Sequence, residues 1–226
     1  MEIIKTYFKT CIKIFSYIFI VIITIFIAIW VVNSFKYKDK KNNKEITYYY
    51  HIFINNQKLK YWSIKEELTQ EINNYIQSVA PTSAVDGLTL LNDCEEYNID
   101  IIFVLAQGTL ESHFATKGIG GKINSIFNVC VYDTIKNGNN VKEKFKYSHP
   151  NQSVKPYLQL LTNDYLVNGK TEYDLLENYV NKNGKRYASY QNYEKDMISI
   201  INRIKNTTKL DSINQEFIKI KTINNF

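Results

Sequence analysis

From Ile14 to Val32 the chain reads IFSYIFIVIITIFIAIWVV without a charge, close to the roughly 20 apolar residues that a helix needs to cross a bilayer core. Lys36, Lys38, Lys40, Lys41 and Lys44 follow it, and no small-residue cleavage site does. The pattern therefore predicts a membrane anchor that is retained rather than a signal that is removed. The next stretch mixes polar and aromatic residues, with a strand expected over Ile46 to Ile54. From Ser63 the spacing becomes helical. Ile64, Leu68, Ile72, Tyr75 and Ile76 share one face, and Ser63 with Glu66 forms a capping box. Pro81 and Gly87 break this helix, and Leu88 to Tyr97 reads as a second. Asn98 is expected to cap a third, IDIIFVLAQGTLESHF, with Asp100 in its first turn. That helix is apolar almost to its end, so it should lie at the centre of the core.

Beyond a loop with Gly118, Gly120 and Gly121, Ile126 to Tyr132 and Val141 to Tyr147 alternate around Asn137-Gly138-Asn139-Asn140, the pattern of a β-hairpin. Helices are expected at about 151–167, 171–180 and 191–205, then a frayed polar tail. The expected fold is α+β and mostly helical. Its segments are a basic start (1–13), an anchor (14–32), a basic and aromatic stalk (33–62), a domain (63–205) and the tail (206–226).

Composition sharpens this picture only a little. With 45% hydrophobic residues, 8 Gly and 3 Pro, the chain is globular rather than disordered. A net charge of +6 suits a polyanionic partner without choosing one. Cys11, Cys94 and Cys130 show no Cys-x-x-Cys spacing, which excludes a zinc ribbon or a disulfide-dense scaffold. His51 and His149 have no acidic or Cys neighbours at ligand spacing, so neither metal nor cofactor is expected. His113 reads as an ordinary helix-end histidine, and Ser112 lacks a nucleophile-elbow context.

The chemistry concentrates at the end of the third helix. Val104, Gln107, Gly108 and Glu111 fall on one stripe. Partial burial and the negative end of the helix dipole both disfavour a charge at Glu111, as suits an acid that must hold a proton near neutral pH. Gly108, with no side chain, is expected to leave space for a ligand.

Ala106, Gln107, Glu111 and Ser112, then Asn124, Ser125, Ile126, Phe127 and Asn128 resemble the active-site segment of glycoside hydrolase family 73, the N-acetylglucosaminidase domains of autolysins and phage lysins. Far downstream, Tyr187, Ala188, Ser189 and Tyr193 resemble the family's second segment. The resemblance spans about residues 66–205, is nearest to the form found in phage proteins, and implies a lysozyme-like fold. It implies Glu111 as general acid and Tyr187 as a cleft residue beside it. It also implies substrate contacts from Gln107, Ser112, Phe127, Asn128 and Tyr193, with peptidoglycan glycan strands as the partner rather than nucleic acid.

The chain departs from the family at the second carboxylate, because the hairpin lobe is short. Asp133 is the preferred candidate, with Glu143 behind it. An inverting reaction needs two carboxyls about 6.5–9.5 Å apart, and without a second acid the substrate's 2-acetamido group can assist. A muramidase, a lytic transglycosylase and a non-catalytic wall-binding protein are the competing readings. A wall enzyme must face the outside of the membrane, whereas Lys5, Lys9 and Lys13 are outnumbered by the lysines after the anchor, which locally favours the opposite orientation.

Overall fold

The computed structural model describes the backbone of residues 2–129 and 146–224. Within the first 50 residues it describes side chains only at 22, 23, 25–27, 29, 30 and 45–48. The chain divides into two units, Met1–Lys58 and Leu59–Phe226.

The first unit is helical, the greater part of α1 (Glu2–Val79). Ile46 to Ile54 is helix and not the expected strand. Helix formation satisfies every backbone group locally, whereas a lone strand would need a partner edge. Ile25, Phe26, Ile27, Ile29 and Trp30 are exposed. Most side chains of Ile14–Val32 lie outside the described residues, and among those described no helix is long and apolar enough to cross a membrane.

The second unit begins within α1, so Ser63 with Glu66 does not open a helix. Leu68, Ile72, Tyr75 and Ile76 are buried on the predicted face. Next come α2 (Gly87–Tyr97) and α3 (Ile101–Ser112). Asp86 caps α2 by accepting from the Thr89 N–H. Asn98 ends α2 in the left-handed region instead of starting α3, and Asp100, two residues beyond the expected Asn98, caps α3 by accepting from Ile102 N–H at 2.8 Å. Asn suits the left-handed position, and Asp suits the cap.

Every residue of α3 from Ile101 to Thr109 is buried, as its uniformly apolar sequence predicts. Around it lie α4 (Gly118–Ile123), α5 (Val154–Leu160), α6 (Tyr193–Thr207) and α7 (Leu210–Asn224). A 3₁₀ turn (Pro150–Ser153) leads into α5, and a π-helical turn (Leu161–Tyr165) leaves it. The expected tail after Asn206 is instead α7, which buries Leu210, Ile213, Phe217 and Ile220. Their 3–4–3 spacing makes one apolar stripe inside a polar composition, which is enough to dock a helix.

The helix expected at 171–180 is a single 3₁₀ turn, Asp174–Leu176. After it the chain doubles back through Gly184 (φ +73), and Val180 pairs with Arg186 in an isolated antiparallel bridge. No other β pairing occurs among the described residues, and Ile126–Val129 is bent rather than extended. The rest of the expected hairpin, from Cys130 to Phe145, lies outside them. The domain is therefore mostly helical, consistent with a lysozyme-like core.

Candidate active site

The site forms where α3 ends. Three consecutive residues without the freedom of glycine, His113, Phe114 and Ala115, have φ of 49°, 53° and 61°. Left-handed backbone costs an L-residue roughly 1–2 kcal/mol, so tertiary bonds must hold this turn. The Ser112 hydroxyl accepts from Ala115 N–H at 2.7 Å and donates to the Ile126 carbonyl at 2.8 Å. Ser83 donates to the Phe114 carbonyl at 2.8 Å. The reversal leaves Glu111 half-buried at the last turn of the helix.

Two side chains from distant parts of the chain converge on Glu111. Tyr193, at the start of α6, donates its hydroxyl to Oε1 at 2.6 Å. Asn128 donates Nδ2 to Oε2 at 3.0 Å and to the Glu111 main-chain carbonyl at 2.9 Å. Burial pushes the Glu111 carboxyl above the ordinary carboxylate range, against the opposing pull of the Tyr193 and Asn128 hydrogen bonds. The result is an acid whose proton is favoured by burial while its anion has two donors ready.

Tyrosines wall the acid on one side. Tyr187 stacks on Tyr179 with ring centroids 4.6 Å apart, and Tyr193 lies 5.7 Å from Tyr187. Tyr187 donates to the Phe127 carbonyl at 3.2 Å. Burial, then the nearby Glu111 charge, pushes the Tyr187 and Tyr193 hydroxyls well up, so both stay neutral donors. Glu194 fixes the Tyr187 loop to α6. It accepts from Tyr179 N–H at 3.1 Å and from Arg186 Nη2 at 2.7 Å.

Glu111, Asn128, Tyr187 and Tyr193, all singled out from sequence, are thus brought together. Gln107, Ser112 and Phe127, expected as substrate contacts, are instead buried. Gln107 is fully buried, with Oε1 accepting from Tyr157 at 2.6 Å and Tyr179 at 3.0 Å. It holds the tyrosine wall instead of substrate, because its position one turn before Glu111 is roofed by α5 and the Tyr179 segment. Phe127 is 1% exposed and stacks on Tyr157 at 3.8 Å, so its ring belongs to the core. Gly108 leaves no ligand space either. A Cβ there would meet Ile126 Cγ2 and Phe114 Cε1, each at 3.0 Å. Asp133 and Glu143 lie outside the described residues.

Sequence reasoning missed Tyr157, Tyr179 and Glu194. The chain has 18 tyrosines, and no spacing among them marks those that meet at one glutamine.

A carboxylic acid thus closes the buried central helix of a mostly helical domain, with hydrogen-bond donors on both oxygens. Residues 89–206 match the Glucosaminidase family model, described as mannosyl-glycoprotein endo-beta-N-acetylglucosaminidase, and the chain belongs to this family. Its domain is thereby that of a peptidoglycan-cleaving glycosidase. No curated protein and no solved structure matches the chain.

Proposed function

We propose that this protein hydrolyses the β-1,4 bond between N-acetylglucosamine and N-acetylmuramic acid, with Glu111 as the general acid. The observation that carries the reading is the Glu111 carboxyl itself. It is half-buried at the end of α3, raised by burial, and contacted on both oxygens by neutral donors. Burial favours the protonated form that must deliver a proton to the leaving glycosidic oxygen, and its anion is then stabilised where it forms. Tyr187, beside the acid, orients sugar or water. Asp133 serves as the second carboxylate, or the substrate's 2-acetamido group takes that part.

The uncharged run Ile14–Val32 with lysines on both flanks supports a single membrane anchor. The domain then works on the outer face of the cytoplasmic membrane, where the wall is, despite the local lysine bias. The resemblance to phage enzymes favours a phage-encoded role in lysis or local wall opening. A C-terminal reporter active only outside the cytoplasm tests the orientation.

The decisive experiment is digestion of purified sacculi by wild type and Glu111→Gln. Turnover should fall at least about 100-fold in the variant, the lower end of what a general acid contributes. Wild-type products should end in reducing N-acetylglucosamine. Anhydromuramic or reducing muramic ends would refute the bond assignment, and an active Glu111→Gln would refute the acid.

A further inference from the structure

Asn128 is placed with more care than a neighbour of Glu111 requires. Its backbone is left-handed, φ 54°, a conformation Asn tolerates better than most residues. Room for its carboxamide comes from Gly120. A Cβ at that position would lie 2.9 Å from Asn128 Oδ1 and 2.5 Å from both Ser112 Cβ and the Ser125 carbonyl. Oδ1 itself is buried with no hydrogen-bond partner among the described residues. The other end of the amide bonds one residue twice, at the main-chain carbonyl and at Oε2 of Glu111.

Those two bonds decide which way the amide faces. Turning it over would set Oδ1 against the Glu111 carbonyl and Oε2, where only lone pairs meet. The main-chain carbonyl never changes protonation state, so Nδ2 stays on that side whether or not the carboxyl carries a proton. Oε2 therefore always receives an N–H. In a neutral carboxyl the C=O oxygen is the better acceptor, so the oxygen facing Nδ2 takes that role and the O–H falls to the other.

We propose that Asn128 is a positioning residue that confines the Glu111 proton to Oε1, and so selects the carboxyl oxygen that delivers it to the glycosidic bond. The inference rests on the reading of Glu111 as general acid. Tyr193, 2.6 Å from Oε1, can accept from the O–H while the proton is held and donate once it has left, because a phenol does both. In the transfer the proton moves from Oε1 to the glycosidic oxygen. That oxygen keeps the electron pair of the breaking C1–O bond, and Glu111 is left anionic with one donor on each oxygen. Water, assisted by the second carboxylate or after the 2-acetamido group has closed on C1 and been displaced, adds to C1 and loses its proton by way of that group to solvent, and solvent restores the proton on Oε1.

Among the described residues, the groups facing Glu111 are Tyr193 from α6, Tyr179 and Tyr187 from the preceding segment, and Asn128. The three tyrosines are all pushed well up by burial, and no charged neighbour is among the causes of the Glu111 shift. The basic limb of the activity profile, where the acid must still be protonated, thus reports Glu111.

The test is Asn128→Gly in the full chain, which keeps the left-handed backbone and removes only the amide. With the proton no longer assigned to one oxygen, kcat should drop about tenfold, a fraction of the whole acid contribution, with KM little changed. Loss of a donor to the anion should move the basic limb of kcat to higher pH. The carboxyl titration of Glu111, followed by 13C-glutamate NMR without substrate, should move the same way. A raised KM with unchanged kcat and limb would make Asn128 a sugar contact and overturn the proposal, as would an unchanged titration. An unchanged titration beside an inactive Glu111→Gln sinks this inference alone. An active Glu111→Gln sinks the acid reading, and the inference with it.

Discussion

In its proposed role, Glu111 does opposite things for function and for folding. Its carboxyl pKa is higher in the folded chain than in the unfolded one because burial penalises the charge. The group therefore adds stability that is fully present below the ordinary carboxylate pKa of about 4.3 and is lost as pH rises through the raised folded value. Glu111→Gln removes the ionisation. The variant, inactive on sacculi, should gain stability over wild type as pH rises from 4 towards 8, read by denaturant midpoints at several pH values. A stability difference independent of pH would contradict the burial argument. At this scale the candidate acid was legible, because an acid ending an apolar run is visible in one dimension. The inward turn of Gln107, Ser112 and Phe127 was not, because which side of a stripe is roofed depends on α5 and the Tyr179 segment.

Among elements, α7 departs furthest from its sequence pattern. It lies past the family match, which ends at residue 206, and its polar residues outnumber the stripe that docks it. Phe217 is 3% exposed and stacks on Tyr61 with centroids 5.5 Å apart. It also borders a cavity of about 440 Å³ that Leu91, Cys94, Asp100, Glu172 and Lys221 help to line. Phe217→Ala should destabilise by about 3 kcal/mol, the lower end for a buried aromatic, since one side of the ring already borders an empty volume rather than packed atoms. A thermal melt checks it, and a shift within error would mean that α7 is not part of the cooperative unit. The loop between Val180 and Arg186 makes the complementary point. The sequence leading into it, 171–180, reads as a helix before the break at Gly184, but tertiary bonds from Glu194 and the Tyr179–Tyr187 stack make the segment a doubled-back arm carrying Tyr187 to the acid.

For the whole molecule, the family match is smaller than the folded domain. Residues 59–79 of α1 precede it, and their Leu68 and Ile72 are fully buried. Lys65 is buried there too, bonded to Glu95 at 2.6 Å and to the Tyr61 hydroxyl at 3.2 Å. Removing that segment would expose the apolar residues it covers and leave Glu95 with a weaker partner, Lys221 at 4.0 Å. A chain limited to residues 89–206 should therefore show no cooperative melt by circular dichroism, whereas 59–226 should melt as one transition. Cooperative unfolding of the shorter chain would show that α1 and α7 are accessories.

Periodicity alone determined that α2, α3, α6 and the part of α1 after Ser63 are helices, that α3 is central, and that Glu111 closes it, because these follow from local spacing of apolar residues and from where that spacing stops. The tertiary structure decided what surrounds the acid. Tyr193 and Asn128 reach Glu111 from 82 and 17 residues away, and the latter does so through a left-handed backbone that Gly120 leaves room for. Contacts of that separation are set by how helices pack and where loops double back, and no pattern within one segment encodes them.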